Sequence, residues 1–258
     1  RLLAVFDHFS DGQTHFLQLP REILPSVMKR LSMYVLRSKV KLRDVSDEWA
    51  AIGLLGPGSA QALANAQLPI PEAGDSVLRD GVLIARQPDG TRAKERFLLI
   101  GPAQRAGCEQ LKAQPVDSGV WWWSQIDAGL PNVWAATQEK FVPQMINLEV
   151  LGGVDFRKGC YPGQEVIARS QYRGKLRRRM HLAHTEVDTH AGADVLAQGQ
   201  DQPVGTVVMA ALAPQGGMDF LFECHADAVD APLYVQGATP DHSALLRALP
   251  YPITDVTA

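Results

Sequence analysis

Two short runs rich in apolar positions open the chain, 1–9 and 14–19, separated by the polar Ser10-Asp11-Gly12. That pattern predicts two strands joined by a turn. A helical period follows. Leu24, Val27, Met28, Leu31, Tyr34 and Val35 recur at three- and four-residue intervals, which predicts a helix over 21–37 with one apolar face. Lys39 to Val45 alternates and reads as a strand. A second unit starts near Trp49: Ala50 to Leu55 is an apolar strand, and Gly56-Pro57-Gly58-Ser59 opens a helix through Ala66. Strands over 76–86 and 96–100 and a helix over 102–112 complete a β-α-β-β-α order that suits a small α+β layer pair.

Trp121-Trp122-Trp123 opens a further helix that ends near Gly129. Three consecutive tryptophans cannot face one way on a helix. Packing, with one or two in the core and one exposed, competes with a stacking wall for a flat heterocycle, and packing is the commoner use of aromatic area. After Arg179 the pattern becomes β-rich: Met180 to Ala183, Val195 to Ala197, Val204 to Ala211, Met218 to Glu223 and Leu233 to Gln236. Runs of Gly, Pro, Asp and Gln separate these strands, which suggests a small antiparallel barrel.

Composition changes this picture little. The chain has 258 residues, 46% hydrophobic and 21% charged, with net charge −3, as expected of a soluble globular protein of two or three domains. No apolar run approaches the roughly 20 residues of a membrane span, so no membrane association is expected. Cys108, Cys160 and Cys224 are far apart and odd in number, which indicates neither a disulfide framework nor a zinc module. Three cysteines are also fewer than the four that usually hold an iron–sulfur cluster. The seven histidines form no metal-ligand spacing. His181 and His184 lie three apart in a strand and so should face opposite sides. No metal site is expected.

The densest chemistry is Lys158-Gly159-Cys160-Tyr161-Pro162-Gly163-Gln164-Glu165. Two glycines give backbone freedom and mark a loop, where sites usually lie. Lys158, two residues from Cys160, would favour the thiolate if both side chains point the same way. A free cysteine is more often a small buried hydrophobe, and both readings stand. Gln164 and Glu165 offer a ligand-binding amide and carboxylate, or cap the next element.

The segment Phe156 to Glu165 resembles the signature of the YgfZ folate-binding proteins, which include mitochondrial relatives acting in iron–sulfur protein maturation. The flanks Asp127-Ala128-Gly129-Leu130-Pro131, Phe141-Val142-Pro143-Gln144 with Asn147-Leu148, and Leu151-Gly152-Gly153 fit as well, as does the basic exit from Ala168-Arg169 to Tyr172-Arg173-Gly174. The resemblance implies an α+β fold like that of the related glycine-cleavage T-protein, an aminomethyltransferase. Two α+β domains, the first interrupted by the second, are followed by a C-terminal antiparallel β-barrel, with folate in a central channel. The matching segments are 1–46 with 116–170, an inserted ferredoxin-like unit over 47–115, and the barrel over 171–258. The family also implies further chain ahead of Arg1.

Tetrahydrofolate, or a one-carbon derivative, is the implied cofactor. Its pterin has a donor edge, an aromatic face and an anionic tail, which call for a carboxylate, an apolar slot and basic groups. The resemblance puts Asp127 at the pterin edge, where the T-proteins carry a glutamate, and Arg173 at the tail. Read alone, Asp127 is equally a solvated helix residue. The basic run Arg169, Arg173, Lys175, Arg177, Arg178 and Arg179 ordinarily marks an exposed strand. A folate-tail clamp or an RNA contact is the alternative, and the slightly negative overall charge leaves direct nucleic-acid binding with little support.

The Asn-Ala pair and following aspartate of the transferases would fall in Leu19 to Ser26, where Glu22 is the one carboxylate. The resemblance therefore implies an accessory factor rather than a classical enzyme, with folate-dependent aminomethyl transfer as the alternative. Its expected partners are iron–sulfur client or assembly proteins, radical-SAM tRNA-modifying enzymes among them. Its expected compartment is the cytoplasm, or the mitochondrial matrix in a eukaryote. Cys160 would then be a transient ligand, a redox partner or an acceptor of a one-carbon fragment.

Overall fold

The computed structural model describes residues 1–103, 108–155, 159, 164, 165, 167 and 177–253. The first two runs form a hairpin, β1 (Asp7–Ser10) and β2 (His15–Gln18), whose turn is held by Asp11 Oδ1 accepting from the amides of Gln13 (2.9 Å) and Thr14 (2.6 Å). Helix α1 spans Leu24–Ser32, shorter than its apolar period. The run Lys39–Val45, which alternates like a strand, belongs to no sheet. The alternation is present; a partner strand among the described residues is not.

Four strands form the second sheet in the order β3 (Trp49–Leu54), β6 (Phe97–Pro102), β5 (Val82–Arg86), β4 (Ser76–Arg79), all antiparallel. A ferredoxin-like sheet would place β6 beyond β3. Here β6 lies between β3 and β5, because β4, β5 and β6 run on as a meander. One face packs Leu54, Ile84, Phe97 and Leu99 with Leu63 of α2 (Ser59–Asn65). The other packs Leu83, Leu98 and Ile100 with Phe9, Phe16, Trp49 and Trp121. Both faces are thus covered, which explains why β5 and β6 read as continuous apolar runs rather than alternating ones.

Helix α3 spans Ser118–Asp127, and Asp117 caps it by accepting from the Gly119 amide at 2.7 Å. The C-terminal strands are β7 (Arg178–Thr185), β8 (Asp194–Ala197), β9 (Gly205–Leu212), β10 (Met218–His225), β11 (Leu233–Val235) and β12 (Leu245–Arg247). They form one antiparallel sheet in the order β11-β8-β9-β10-β7-β12. The sheet curls until its two edges nearly meet, and the Ala244 amide, one residue ahead of β12, donates to the Leu233 carbonyl of β11 at 2.6 Å. The result is an incomplete barrel. Its inner core gathers Val207, Phe220, Phe222 and Cys224, and its outer face packs Met180, Leu182, Met209 and Leu221 against Trp123 and Ile126 of α3 and Phe141 and Ile146 of the following loop. No helix among the described residues is long and apolar enough to cross a membrane.

Candidate functional site

Helix α3 gives each of its three tryptophans a different partner. The Trp121 ring receives the Arg96 guanidinium at 5.0 Å, Trp122 meets Trp134 edge-on at 5.0 Å, and Trp123 lies under Arg92 at 5.0 Å. None is exposed, so the expected solvent-facing member is absent and no single aromatic wall forms.

The last residue of α3, Asp127, is fully buried. Its Oδ2 accepts from the backbone amides of Arg92 (2.7 Å) and Ala93 (2.8 Å), and its Oδ1 accepts from Arg92 Nε (2.7 Å). The loop between β5 and β6 comes this close because residue 90 is glycine: a β-carbon there would collide with Asp127 Oδ2. Arg92 then reaches onward. Its Nη2 donates to Asp219 Oδ2 at 2.5 Å, and that same oxygen accepts Trp123 Nε1 at 2.8 Å. His184 Nδ1 lies 2.8 Å from Asp219 Oδ1, and Arg247 Nη1 lies 3.2 Å from it. Asp219, fully buried in the middle of the sheet, therefore holds groups from the β5–β6 loop, α3, β7 and β12 at one point. Burial alone would raise its pKa, but hydrogen bonds from Arg92, Trp123 and His184 outweigh burial and hold the carboxyl below its usual range.

A second cluster adjoins the same strands. Asn147, left-handed (φ 58°) and buried, donates through Nδ2 to the Met180 carbonyl at 3.0 Å and accepts the Met180 amide at 3.3 Å. Arg179 bonds the Gln144 carbonyl and pairs with buried Glu149. Gln144 Nε2 donates to the Ile167 carbonyl at 2.9 Å, which ties the segment carrying Gln164 and Glu165 to this cluster. Tyr251 closes the far side by donating to the Gly129 carbonyl at 2.8 Å, and burial pushes its phenol up to about 12.

Of the residues singled out in the sequence, Gln164 is half-buried and Glu165 exposed, both helical. Lys158, Cys160 and Arg173 lie outside the described residues. Asp127 is described in full, and its geometry bears on a pterin. A carboxylate offers about four lone-pair sites, and three here are filled. With Arg92 in place it can accept one further donor, whereas a 2-amino and N3–H edge presents two. The residues fit a pterin edge by half: withdrawal of Arg92 Nε frees Oδ1 alone, because the Arg92 and Ala93 amides keep Oδ2 occupied. Arg92, Asp219 and Arg247 were not singled out by the sequence, and His184 figured there only among histidines without metal-ligand spacing. A lone carboxylate inside the apolar run Met218-Asp219-Phe220-Leu221-Phe222 is the signal that finds Asp219.

No family model matches the chain. Among solved structures it is similar to the glycine cleavage system aminomethyltransferase T from Bartonella henselae, with a TM-score of 0.63 over 86% of this chain and 64% of that one, at 17% sequence identity. The fold is T-protein-like. The chain spans 64% of the length of that T-protein.

Proposed function

We propose that this chain is a tetrahydrofolate-binding accessory factor for the maturation or repair of iron–sulfur proteins, serving clients such as radical-SAM tRNA-modifying enzymes. The reading is supported chiefly by the coincidence of a T-protein-like fold with the Lys158–Glu165 octet of the YgfZ proteins in one chain. In this reading the pterin edge approaches Asp127 and displaces the Arg92 side chain, while Arg173 takes the anionic tail. Gln164 and Glu165 lie beside the ligand. Cys160, with Lys158 favouring its thiolate, supplies the chemistry.

The alternative, folate-dependent aminomethyl transfer, draws on the activity for which the structural neighbour is named. One observation weighs against it. Glu22, the sole carboxylate of the stretch where the transferase motif would fall, accepts the Ala135 amide at 2.6 Å and so anchors the loop after α3.

Calorimetric titration of the chain with tetrahydrofolate tests the proposal, beside Asp127→Asn, which keeps the side-chain shape. Saturable binding, weakened at least tenfold in Asp127→Asn while the melting transition survives, is the expected outcome. Absence of binding to the native chain overturns it. Conversion of aminomethyl carrier protein and tetrahydrofolate to methylene-tetrahydrofolate would favour the transferase instead.

A further inference from the structure

We propose that the cleft between the β1–β2 hairpin, α1 and residues 39–45 is a docking groove for an acidic polypeptide segment, which adds in extended form alongside Lys39–Val45. Three observations carry this, and none depends on folate.

The cleft holds about 820 Å³ and is lined by apolar side chains, among them Phe9, Leu24, Met28, Leu31, Leu42 and Leu83. Of all the residues of α1 only Val27 is buried. An amphipathic helix normally presses its apolar stripe on a core; here most of the stripe borders open space. Met33, Tyr34, Leu36 and Val40 prolong the uncovered surface, Leu36 at 86% exposure. Apolar area gathered in one place marks an interaction site rather than scattered surface residues.

Beside this cleft runs the alternating segment that joins no sheet. Among the described residues, no backbone hydrogen bond is made to or from residues 39–44. A strand-patterned stretch whose amides and carbonyls have no backbone partner among the described residues is a template for another strand, the mode in which main-chain bonds give affinity and alternate side chains give specificity.

Charge selects the occupant. Residues 21–43 contain seven basic residues and one acidic one, in a chain of net charge −3. Arg21 and Arg43 are already paired, with Asp47 at 2.7 Å and Glu48 at 2.8 Å. Lys41 lines the groove and is exposed, as are Lys29, Arg37 and Lys39 on the adjoining stretches, and they outnumber the two lining carboxylates Asp11 and Asp44. An acidic segment is complementary to that rim. An anionic membrane is the poorer fit, since the apolar side chains line a concavity rather than project from it. A nucleic acid would meet its phosphates' partners at the rim but an apolar floor beneath.

The test is fluorescence anisotropy of a fluorescein-labelled decapeptide alternating glutamate and valine, titrated with the full chain, against the same peptide with lysine for glutamate. The expected result is saturable binding of the glutamate peptide, at least tenfold weaker for the lysine peptide. Lys41→Glu should weaken it at least fivefold. Neighbouring N–H groups of a strand point to opposite edges, so one of Val40→Pro and Lys41→Pro should weaken binding at least fivefold and the other less. Because these backbone groups make no backbone bond among the described residues, thermal melts of the variants should match the native chain. No binding, equal binding of the two peptides, or indifference to both prolines overturns the proposal. So does binding to phosphatidylserine vesicles without peptide binding, or a concentration-dependent dimer in sedimentation that excludes the peptide.

Discussion

At the scale of single residues, the same side-chain type takes opposite roles according to what surrounds it. Cys224 sits on the inner face of the curled sheet, fully buried, and burial together with the neighbouring Glu223 carboxylate pushes its thiol up to about 12. The thiolate is the reactive form, so Cys224 should be inert. Differential alkylation with iodoacetamide, read by mass spectrometry, should leave Cys224 unlabelled in the native chain and fully labelled in denaturant. It then serves as an internal control for the proposed reactive thiol, Cys160. Carboxylates divide in the same way. Glu165 is exposed, whereas Asp127 and Asp219 are buried and spend their lone pairs on named donors. Charged residues buried in this way were hard to read in the sequence, because the partners that make burial tolerable lie 35 and 127 residues away along the chain.

At the scale of elements, what the pattern revealed depended on whether an element's partner was local. The hairpin, α2, α3 and five of the six strands of the curled sheet were legible because their periods and turn residues are local signals. Strand β12 was missed. It has three residues, Leu245–Arg247, two of them exposed, and exists because β7 offers it an edge. Lys39–Val45 failed in the opposite sense, since alternation without a neighbour makes no sheet. Within the candidate site the family-like flanks were legible as residues but not as contacts. Asn147 is the clearest case. Its amide clamps both backbone groups of Met180 in β7, and its left-handed conformation suits asparagine better than most residues. Asn147→Ala should leave two buried backbone groups unsatisfied and cost about 2–4 kcal/mol. Urea denaturation followed by circular dichroism would measure it, with an unchanged midpoint disproving the clamp.

At the scale of the whole molecule, Asp219 is the point where the four-stranded sheet's loop, α3 and strands β7 and β12 of the curled sheet converge. Removing one partner of a buried pair leaves the others uncompensated, so Asp219→Asn should destabilise by about 3–5 kcal/mol. That corresponds to a melting temperature lower by about 10 °C in a chain of this length. The sign of the pH dependence follows from the direction of the shift. A carboxyl held below its unfolded value contributes its full stabilisation above that value, about pH 4, and loses it as the pH falls through the lower folded value. The gap between native and Asp219→Asn melting temperatures should therefore stay constant from about pH 7 to 5 and shrink below about pH 4. A gap that persists into strong acid would mean that the Asp219 charge contributes nothing and that the packing of its neighbours carries the joint.

The bond from Trp123 Nε1 to Asp219 also gives this joint a voice. The chain has five tryptophans, hence five indole proton signals in a nitrogen-correlated magnetic resonance spectrum. A proton donated to a carboxylate resonates downfield of its fellows, and a guanidinium stacked on the ring displaces the signal further. Trp123 is thus a native beacon: in the nitrogen-15-enriched chain, a ligand that draws Arg92 aside moves the Trp123 peak, without a mutation.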